Sequence, residues 1–226
     1  MGSTRLPGKV LRLLEGRPVI GRIFARLRAC ATLDTVIVAC PTGEANDPIA
    51  RFCARDGIGC HRGPEDDLAT RLLGAAQGVG ADAIVRITGD CPLVDPETVD
   101  RVVMAFRALE GCDYASNVFP RQLEPDGLDC EVFSGDCLRQ LQGCVALSEH
   151  IWCDPLGFRI VESPRPDGSN LSGLGWTLDT AEDLEFVQWV YRSLPELFTQ
   201  QDVLNLWRAA MPLTEGGRWR SRLMIA

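Results

Sequence analysis

Apolar residues recur first at helical and then at strand spacing along the first half of the chain. In residues 17–30 they follow the i, i+3, i+4, i+7 pattern, which predicts an amphipathic helix packed on a core. Residues 34–40 and 82–88 are short β-branched runs typical of strands buried on both faces. The other predicted segments are a helix at 46–55, a brief strand at 58–61, a helix at 65–77 with an acidic first turn, and a helix capped by Asp95 with Pro96 at its first position.

The second half of the chain has short strand candidates separated by turn-rich segments. These candidates are residues 113–117, 128–133, 158–161 and 176–179. Thr180 and Asp183 form a capping box that starts a further helix, and a last helix is predicted at about 200–210. Strands that alternate with helices favour right-handed βαβ crossovers. We therefore expect a three-layer α/β fold with a mainly parallel sheet, to which the second half could add antiparallel strands.

The composition is that of a soluble globular protein. With 226 residues, 46% of them hydrophobic and 24% charged, the chain can bury a substantial core, and we expect one domain over residues 1–226. No apolar run reaches membrane-spanning length and no signal-peptide pattern opens the sequence, so we expect no membrane association and a cytoplasmic location. The ten cysteines include no Cys-x-x-Cys pair and no zinc spacing, which indicates reduced cysteines with structural roles.

Charge is distributed unevenly along the chain. The net charge is −8, but residues 1–30 contain seven cations and one acid, so this end is net +6 and the remainder is net −14. The acidic total argues against non-specific binding of nucleic acid. A cationic end on an acidic protein suits a small anionic ligand.

The first nine residues, MGSTRLPGK, combine turn-forming, hydroxyl and cationic positions in one loop. Lys9 is the only lysine of the sequence, which suggests a site that requires a compact point charge. We predict a phosphate cradle here, the alternative being an ordinary disordered terminus. Gly-rich anion loops usually follow a strand, so the first strand of the sheet is expected to be missing. The predicted donors are Ser3, Thr4, Arg5 and Lys9, and Gly2 and Gly8 allow close backbone approach.

Two carboxylates from distant parts of the chain follow predicted strands. Asp90 comes directly after the run at 82–88, and Asp179 ends the run at 176–179. Ligands of α/β proteins bind at the carboxyl ends of the strands, where the two side chains could hold one hard cation such as Mg²⁺. The alternatives are that Asp90 is a turn residue and that Asp179 only neighbours a helix cap. With the cationic loop, the pair suggests a metal-bridged triphosphate.

Several motifs resemble those of the nucleotide-sugar cytidylyltransferases, in particular the group of spore coat polysaccharide biosynthesis proteins. The sequence is also similar to CMP-KDO synthetase and, more remotely, to the acylneuraminate cytidylyltransferases. Individually these motifs are weak, but their order and spacing are fairly specific. They are STRLPGK at 3–9, HRGPEDDLATR at 61–71, ITGDCPLVDP at 87–96, DYASN at 113–117, PDGLDCEVF at 125–133, SEH at 148–150 and WTLDTAEDLEFV at 176–187.

The resemblance implies a Rossmann-like nucleotidyltransferase fold of the GT-A type, commonly dimeric, that uses CTP and Mg²⁺. It implies that Arg5, Lys9 and Asp90 are catalytic, and that Asp90 and Asp179 hold the metal. The implied CTP-binding residues are Ser3, Thr4, Arg5, Lys9, Arg62 and Thr88. The implied sugar-binding residues are Asn117, Asp126, Asp129, Glu131 and His150.

The expected reaction transfers CMP from CTP to a sugar acid or related sugar, for surface polysaccharide or glycan synthesis. Positioning and charge neutralisation would dominate, and no general base is evident, since a histidine such as His150 beside a glutamate in a helix is more often structural. Two positions depart from the family pattern: an arginine-ended strand usually precedes the first loop, and arginine usually stands at Gly175. The alternatives are a GT-A glycosyltransferase, a transferase of another nucleotide, and an inactive nucleotide-binding homologue.

Overall fold

The computed structural model describes residues 4–210. Its α-helices are α1 (Val19–Leu27), α2 (Asp47–Arg55), α3 (Leu68–Gln77), α4 (Pro96–Ala108), α5 (Gly135–Gln140), α6 (Leu147–Cys153), α7 (Ala181–Ser193) and α8 (Gln200–Ala210). Its strands are β1 (Leu13–Leu14), β2 (Arg17–Pro18), β3 (Ile37–Pro41), β4 (Gly59–Gly63), β5 (Ala83–Arg86), β6 (Tyr114–Ser116), β7 (Glu131–Ser134) and β8 (Ile160–Glu162). Short 3₁₀ turns occur at Lys9–Leu11, Glu44–Asn46 and Pro155–Gly157.

The strands form a mixed arrangement of parallel and antiparallel pairs. β5, β7, β6 and β8 make a four-stranded sheet in that order, and β7 alone runs against the other three. β3 and β4 form a separate parallel pair. Within residues 4–210 no strand joins this pair to the four-stranded sheet. The expected mixed sheet with mainly parallel strands is confirmed.

Helices cover both faces of the sheet, which gives three layers. Ala115 of β6 and Val132 of β7 pack into a core with α1, α4, α7 and α8. Tyr114 and Phe133, the alternate residues of the same strands, pack into a second core with α3, α5 and α6. This alternation follows from the two-residue period of a strand, which sends successive side chains to opposite faces. The expected three-layer α/β fold is confirmed.

The predicted helix caps are confirmed at two helices and adjusted at a third. The Asp95 carboxylate accepts a hydrogen bond from the Thr98 amide, and Thr180 and Asp183 form the capping box of α7. The acidic residues at 65–67 were expected in the first turn of α3. Instead Asp67 is the N-cap and accepts from the Thr70 amide, so the helix begins later than predicted.

The predicted strand at 176–179 is wrong. This segment makes its backbone hydrogen bonds to two loops: the Trp176 amide donates to the Asp126 carbonyl at 2.7 Å, and the Leu178 amide donates to the Asp90 carbonyl at 2.8 Å. The segment is extended, and its alternate residues Trp176 and Leu178 pack on the core, as they would in a strand. Its partners, however, are irregular loops, so no ladder forms beyond one isolated bridge between Asp126 and Gly175.

A small hairpin of β1 and β2 was not predicted. Its register leaves a two-residue turn at Glu15 (φ 46°) and Gly16 (φ 79°), as in a type I′ turn. Glu-Gly is a weaker turn signal than Asn-Gly, and two-residue strands show no periodicity. No helix in the described part of the chain is long and apolar enough to cross a membrane.

We expect Gly127→Ala to destabilise the chain by at least about 3 kcal/mol. Gly127 has φ 102°, and a Cβ there would lie 2.7 Å from the Thr177 nitrogen and the Trp176 carbonyl carbon, so the backbone must move. Gly168→Ala is the matched control, because Gly168 has φ 65° with no atom near the new Cβ, and should cost about 1 kcal/mol. Urea unfolding measures both, and equal losses would contradict the close packing at Gly127.

Candidate active site

Lys9 joins the two predicted metal ligands. Its Nζ donates to Asp90 Oδ2 at 2.8 Å and to Asp179 Oδ1 at 2.9 Å. The three side chains come from positions separated by 81 and 170 residues, and the lysine side chain is only 15% exposed. The cationic loop and the two carboxylates, which were picked out independently in the sequence, therefore form one site.

The charges of this site stabilise one another against burial. Burial disfavours the charge on Lys9, but its hydrogen bonds to Asp90 and Asp179 outweigh this effect, so the pKa of Lys9 is raised. Burial likewise opposes the Asp90 carboxylate, but hydrogen bonds from Lys9 and Thr88 outweigh it, so the pKa of Asp90 is lowered. Lys9 and Asp90 are accordingly both charged at neutral pH.

Local backbone structure holds each carboxylate. Asp90 lies in the turn that follows β5, where the Cys91 amide donates to the Thr88 carbonyl at 3.3 Å. Asp179 immediately precedes the cap of α7, and its amide donates to Asp183 Oδ2 at 2.9 Å. Asp90 is thus a turn residue and Asp179 a neighbour of a helix cap, as the alternatives had it. These backbone positions place both side chains where they meet Lys9.

The rest of the opening loop is more exposed. Arg5 Nη2 lies 3.2 Å from Asp179 Oδ2, with 62% of the arginine side chain exposed, and Thr4 is also exposed. Gly8, with φ 67°, precedes the 3₁₀ turn that begins at Lys9. Ser3 lies outside the described residues. Both predicted phosphate cations thus contact a carboxylate that was predicted to bind metal.

The two carboxylates suit Mg²⁺. Oxygen ligands are those that Mg²⁺ prefers, and it is commonly held by one or two carboxylates together with substrate phosphates and water. Lys9 Nζ already bridges one oxygen of each carboxylate, so this position accommodates positive charge. Within residues 4–210 no cluster of three or more acidic, histidine or cysteine side chains could hold a metal.

The loop around Asp126 lies beside these carboxylates. Thr177 Oγ1 is 3.4 Å from Asp126 Oδ2 and 3.5 Å from Asp179 Oδ2, so it bridges the two side chains. Thr177 is in the WTLD motif but was not predicted as a site residue, because a threonine in an apparent strand carries no chemical signal. Asp126 itself is exposed.

The pKa of Asp129 is far above the usual value for an aspartate. Burial, followed by the nearby charges of Asp126 and Glu131, raises its pKa to about 7. The side chain accepts a long hydrogen bond from Gln122 Nε2 at 3.4 Å, and a hydrogen bond from the Gly127 backbone offsets part of this rise in pKa. Around neutral pH this carboxyl is therefore divided between its protonated and ionised forms.

Glu131 and Asn117 have buried positions and are fully engaged within the protein. Glu131 is 5% exposed and accepts hydrogen bonds from Tyr114, Ser148 and Arg86. Asn117 is 1% exposed, and its side-chain amide bonds the Leu128 carbonyl and the Cys130 amide, which fixes the loop that carries Asp129. These contacts hold the loop in place from the protein interior, and the polar groups that make them do not face solvent.

The remaining predicted residues are spread around the site. Arg62 donates to Asp47 Oδ1 and to the Gly43 carbonyl, both at 2.7 Å, and its Nε is buried without a hydrogen-bond partner in the described structure. Thr88 Oγ1 lies 2.9 Å from the Cys91 sulfur. His150 is exposed on α6. Among the described residues, no hydrogen bond connects it with Lys9. The structure therefore joins Arg5, Lys9, Asp90, Asp126 and Asp179 by direct contacts or through Thr177.

Comparison with known proteins defines the class. Residues 1–123 match the family model described as cytidylyltransferase. The chain therefore belongs to the cytidylyltransferase family, which consists of CTP-dependent nucleotidyltransferases. The family resemblance and the Rossmann-like nucleotidyltransferase fold expected from the sequence are confirmed.

Individual relatives cover most of the chain. It is 30% identical over 208 residues to the spore coat polysaccharide biosynthesis protein SpsF of Bacillus subtilis, which covers 87% of this chain and 85% of that protein. A solved cytidylyltransferase from Leptospira borgpetersenii has 28% identity and a TM-score of 0.85, over 96% of this chain and 93% of that one. The 3-deoxy-manno-octulosonate cytidylyltransferase 2 of Hydrogenovibrio crunogenus is 33% identical over 113 residues, or 48% of this chain and 44% of that protein.

We expect Asp129→Asn to stabilise the protein in a pH-dependent way. The folded chain holds a proton on Asp129 up to about pH 7, whereas the unfolded chain releases it near 3.8, so folding stability falls as the pH rises between these values. Asparagine mimics the neutral form and removes this loss. The variant should melt well above the parent at pH 8 and at nearly the same temperature at pH 4, since each tenfold change in proton affinity is worth about 1.4 kcal/mol and each kcal/mol corresponds to roughly 2–4 °C here.

Asp136→Asn is the control for this titration, because Asp136 is exposed on α5 and 82% of its side chain is accessible. Its effect on the melting temperature should be small at both pH values. A difference for Asp129→Asn that is the same at pH 4 and pH 8 would contradict the raised pKa.

Proposed function

We propose that this chain transfers CMP from CTP to a hydroxyl of a sugar acid or related sugar, with release of pyrophosphate, for polysaccharide or glycan synthesis. The observation that carries the proposal is the contact of Lys9 with both Asp90 and Asp179 at the carboxyl end of β5. A cation and two carboxylates at this edge provide the groups that a metal-bound triphosphate needs. The relatives named above, one of which is a 3-deoxy-manno-octulosonate cytidylyltransferase, support a sugar-acid acceptor.

Asp90 and Asp179 would hold Mg²⁺, which supplies positive charge to the phosphates of CTP and orients them. With Mg²⁺ bound, its charge would neutralise these carboxylates in place of the Lys9 ammonium group. This ammonium group, on a flexible side chain, can then turn toward the phosphates. Arg5, already exposed beside Asp179, is the second chain cation available to the leaving pyrophosphate. The ion pairs of the free protein would thus keep both cations next to the phosphate site.

The reaction is an in-line displacement at the α-phosphorus. The sugar hydroxyl oxygen forms a bond to that phosphorus, the bond to the bridging oxygen of the β-phosphate breaks, and pyrophosphate takes the electron pair. The hydroxyl proton passes to solvent water as the new bond forms. Lys9 and Arg5 stabilise the charge that develops on the leaving group, and the carboxylates fix the geometry, so positioning and electrostatics supply most of the rate.

The loop that carries Asp126 and Asp129 is the proposed sugar side of the site. Asp126 is exposed, and Thr177 connects it to Asp179. Asp129, in the same loop, is half-buried. Polar groups of this kind can accept hydrogen bonds from sugar hydroxyls. Gly175 stands where the family pattern described above has arginine. Its backbone pairs with that of Asp126, so a cationic side chain at this position would lie beside the Asp126 loop.

The direct test is pyrophosphate release with CTP, UTP, GTP and ATP, each combined with a panel of sugar acids and neutral sugars in the presence of Mg²⁺. We expect release with CTP and at least one sugar acid, and its loss when EDTA removes the metal. Release with another nucleotide alone would disprove the cytidylyl assignment. Nucleotide binding without release in any combination would indicate an inactive homologue, and cleavage of a nucleotide-sugar instead would indicate a glycosyltransferase.

Asp90→Asn should reduce CMP transfer by roughly 100-fold or more, because it removes a proposed metal ligand and one partner of Lys9. The fold should persist, since Asp90 lies in a turn rather than in a hydrophobic core. Asp66→Asn, at an exposed position before α3, is the control and should leave the rate unchanged. Circular dichroism verifies folding of both variants, and an unimpaired rate in Asp90→Asn would refute the role of this carboxylate.

Three further expectations from the sequence stay predictions: one domain over residues 1–226, a homodimer and a cytoplasmic location. Sedimentation of the purified chain measures the second. A monomer at enzymatic concentrations would contradict it.

A further inference from the structure

Three thiols converge where α2 packs on β3 and β4. The sulfur of Cys40, in β3, lies 3.8 Å from the sulfur of Cys60, in β4. Cys53 of α2 interacts with both of them. Cys40 and Cys53 are buried, whereas Cys60 is exposed. One accessible thiol thus has two buried thiols beside it.

The exposed thiol and its buried neighbour suit two successive steps of an oxidation. A small oxidant can reach Cys60 from solvent, whereas Cys40 is only 3% exposed. A thiol that has been oxidised to a sulfenic acid condenses with a neighbouring thiol to form a disulfide. The two sulfurs need to approach only from 3.8 Å to about 2 Å, and groups held this close react much faster than free molecules. Cys40 is therefore placed to react with an oxidised Cys60.

The ionisation of the two thiols sets the pace of the first step. Burial is the largest influence on Cys60 and raises its pKa, and the hydrogen bond to Cys40 and the charge of Arg62 offset part of the rise. Burial also raises the pKa of Cys40 to about 11. The thiolate, which is the nucleophile, is therefore a minor form of both side chains at neutral pH. We expect a slow first step, so the site responds to sustained rather than brief exposure to oxidant.

The two cysteines lie next to a residue that anchors the loop after β3. In the register of β3 and β4, Cys40 is the partner of Arg62, and Cys60 lies two residues before Arg62. Arg62 donates to the Gly43 carbonyl and to Asp47 Oδ1, both at 2.7 Å. Positions offset in this way are usually farther apart than a disulfide allows, so β3 and β4 must move relative to each other when the bond forms. That movement changes the position of Arg62.

We propose that Cys60 is an oxidation site, at which hydrogen peroxide converts Cys60 and Cys40 into a disulfide. The Cys60 thiolate sulfur bonds to one peroxide oxygen, the O–O bond breaks, and hydroxide leaves, which gives a sulfenic acid. The Cys40 thiolate sulfur then attacks the Cys60 sulfur, the S–S bond forms, and the sulfenic oxygen leaves as water after taking up a proton. In total the two thiols lose two electrons and two protons, and one peroxide is reduced to two molecules of water.

The disulfide would also affect the nucleotide side of the proposed active site. Arg62 is among the residues expected from the sequence to bind CTP, and the movement of β4 against β3 would displace it. The oxidised chain should therefore bind CTP roughly tenfold more weakly than the reduced chain, and dithiothreitol should restore the affinity. This consequence rests on the proposed function, whereas the disulfide itself does not.

The test treats the reduced full chain with hydrogen peroxide, blocks the remaining thiols with N-ethylmaleimide and maps its peptides by mass spectrometry without reduction. We expect a peptide pair joined through Cys40 and Cys60, roughly tenfold or more above any other crosslink within the chain, and its loss on treatment with dithiothreitol. Cys60→Ser should abolish the pair. Cys153→Ser is the matched control, because Cys153 is an exposed thiol on α6, and should leave the yield unchanged.

Several outcomes would overturn the proposal. Sulfenic or sulfinic acid at Cys60 in the parent chain without a crosslink would mean that the two sulfurs do not meet in solution. A crosslink from Cys60 to Cys53 as the main product would refute the role of Cys40. Cys40→Ala, which keeps the core apolar, should leave Cys60 in its sulfenic and sulfinic forms, and an undiminished yield of crosslinked Cys60 in this variant would refute that role as well.

Measurement of CTP binding separates this proposal from the proposed function. Equal affinity of the reduced and oxidised chains for CTP would refute the effect of the disulfide on Arg62. Absence of CTP binding by the reduced chain would refute the proposed function instead, and the peptide map would still decide whether the disulfide forms.

Discussion

The attraction between the Lys9 ammonium group and the carboxylates of Asp90 and Asp179 is the interaction on which this site depends. Two carboxylates this close would repel each other without a cation, and each of the three groups loses hydration where it lies. Neutralisation by Lys9 keeps the pair together in the free protein. In the proposed reaction the same carboxylates would hold Mg²⁺, and the lysine would lie next to the phosphates of CTP.

A second set of contacts connects site residues that come from different halves of the chain. The segment at 175–179 is bound by backbone hydrogen bonds to Asp126 on one side and to Asp90 on the other. Thr177 then connects the side chains of Asp126 and Asp179. Because the segment pairs with loops instead of strands, it brings the Asp126 loop and the Asp90 turn close together.

A cavity of about 380 Å³ lies next to the same site. Its lining includes Val10, which follows Lys9 in the chain, and Gly89, which precedes Asp90. Packing in this cavity therefore involves the neighbours of both partners of the ion pair.

Local sequence determined the elements whose signals are local: the capped helices α4 and α7, the apolar strands β3 and β5, and the candidate residues Lys9, Asp90 and Asp179. It could not determine the pairing partner of residues 176–179, the start of α3, or the hairpin at Glu15, because these depend on weak turn signals and on distant hydrogen bonds. Tertiary structure alone decided that Lys9 bridges both carboxylates, that Thr177 joins them to Asp126, and that Glu131 is enclosed by three donors. Those contacts link residues far apart in the chain, and their energies depend on burial and distance, which no sequence period encodes.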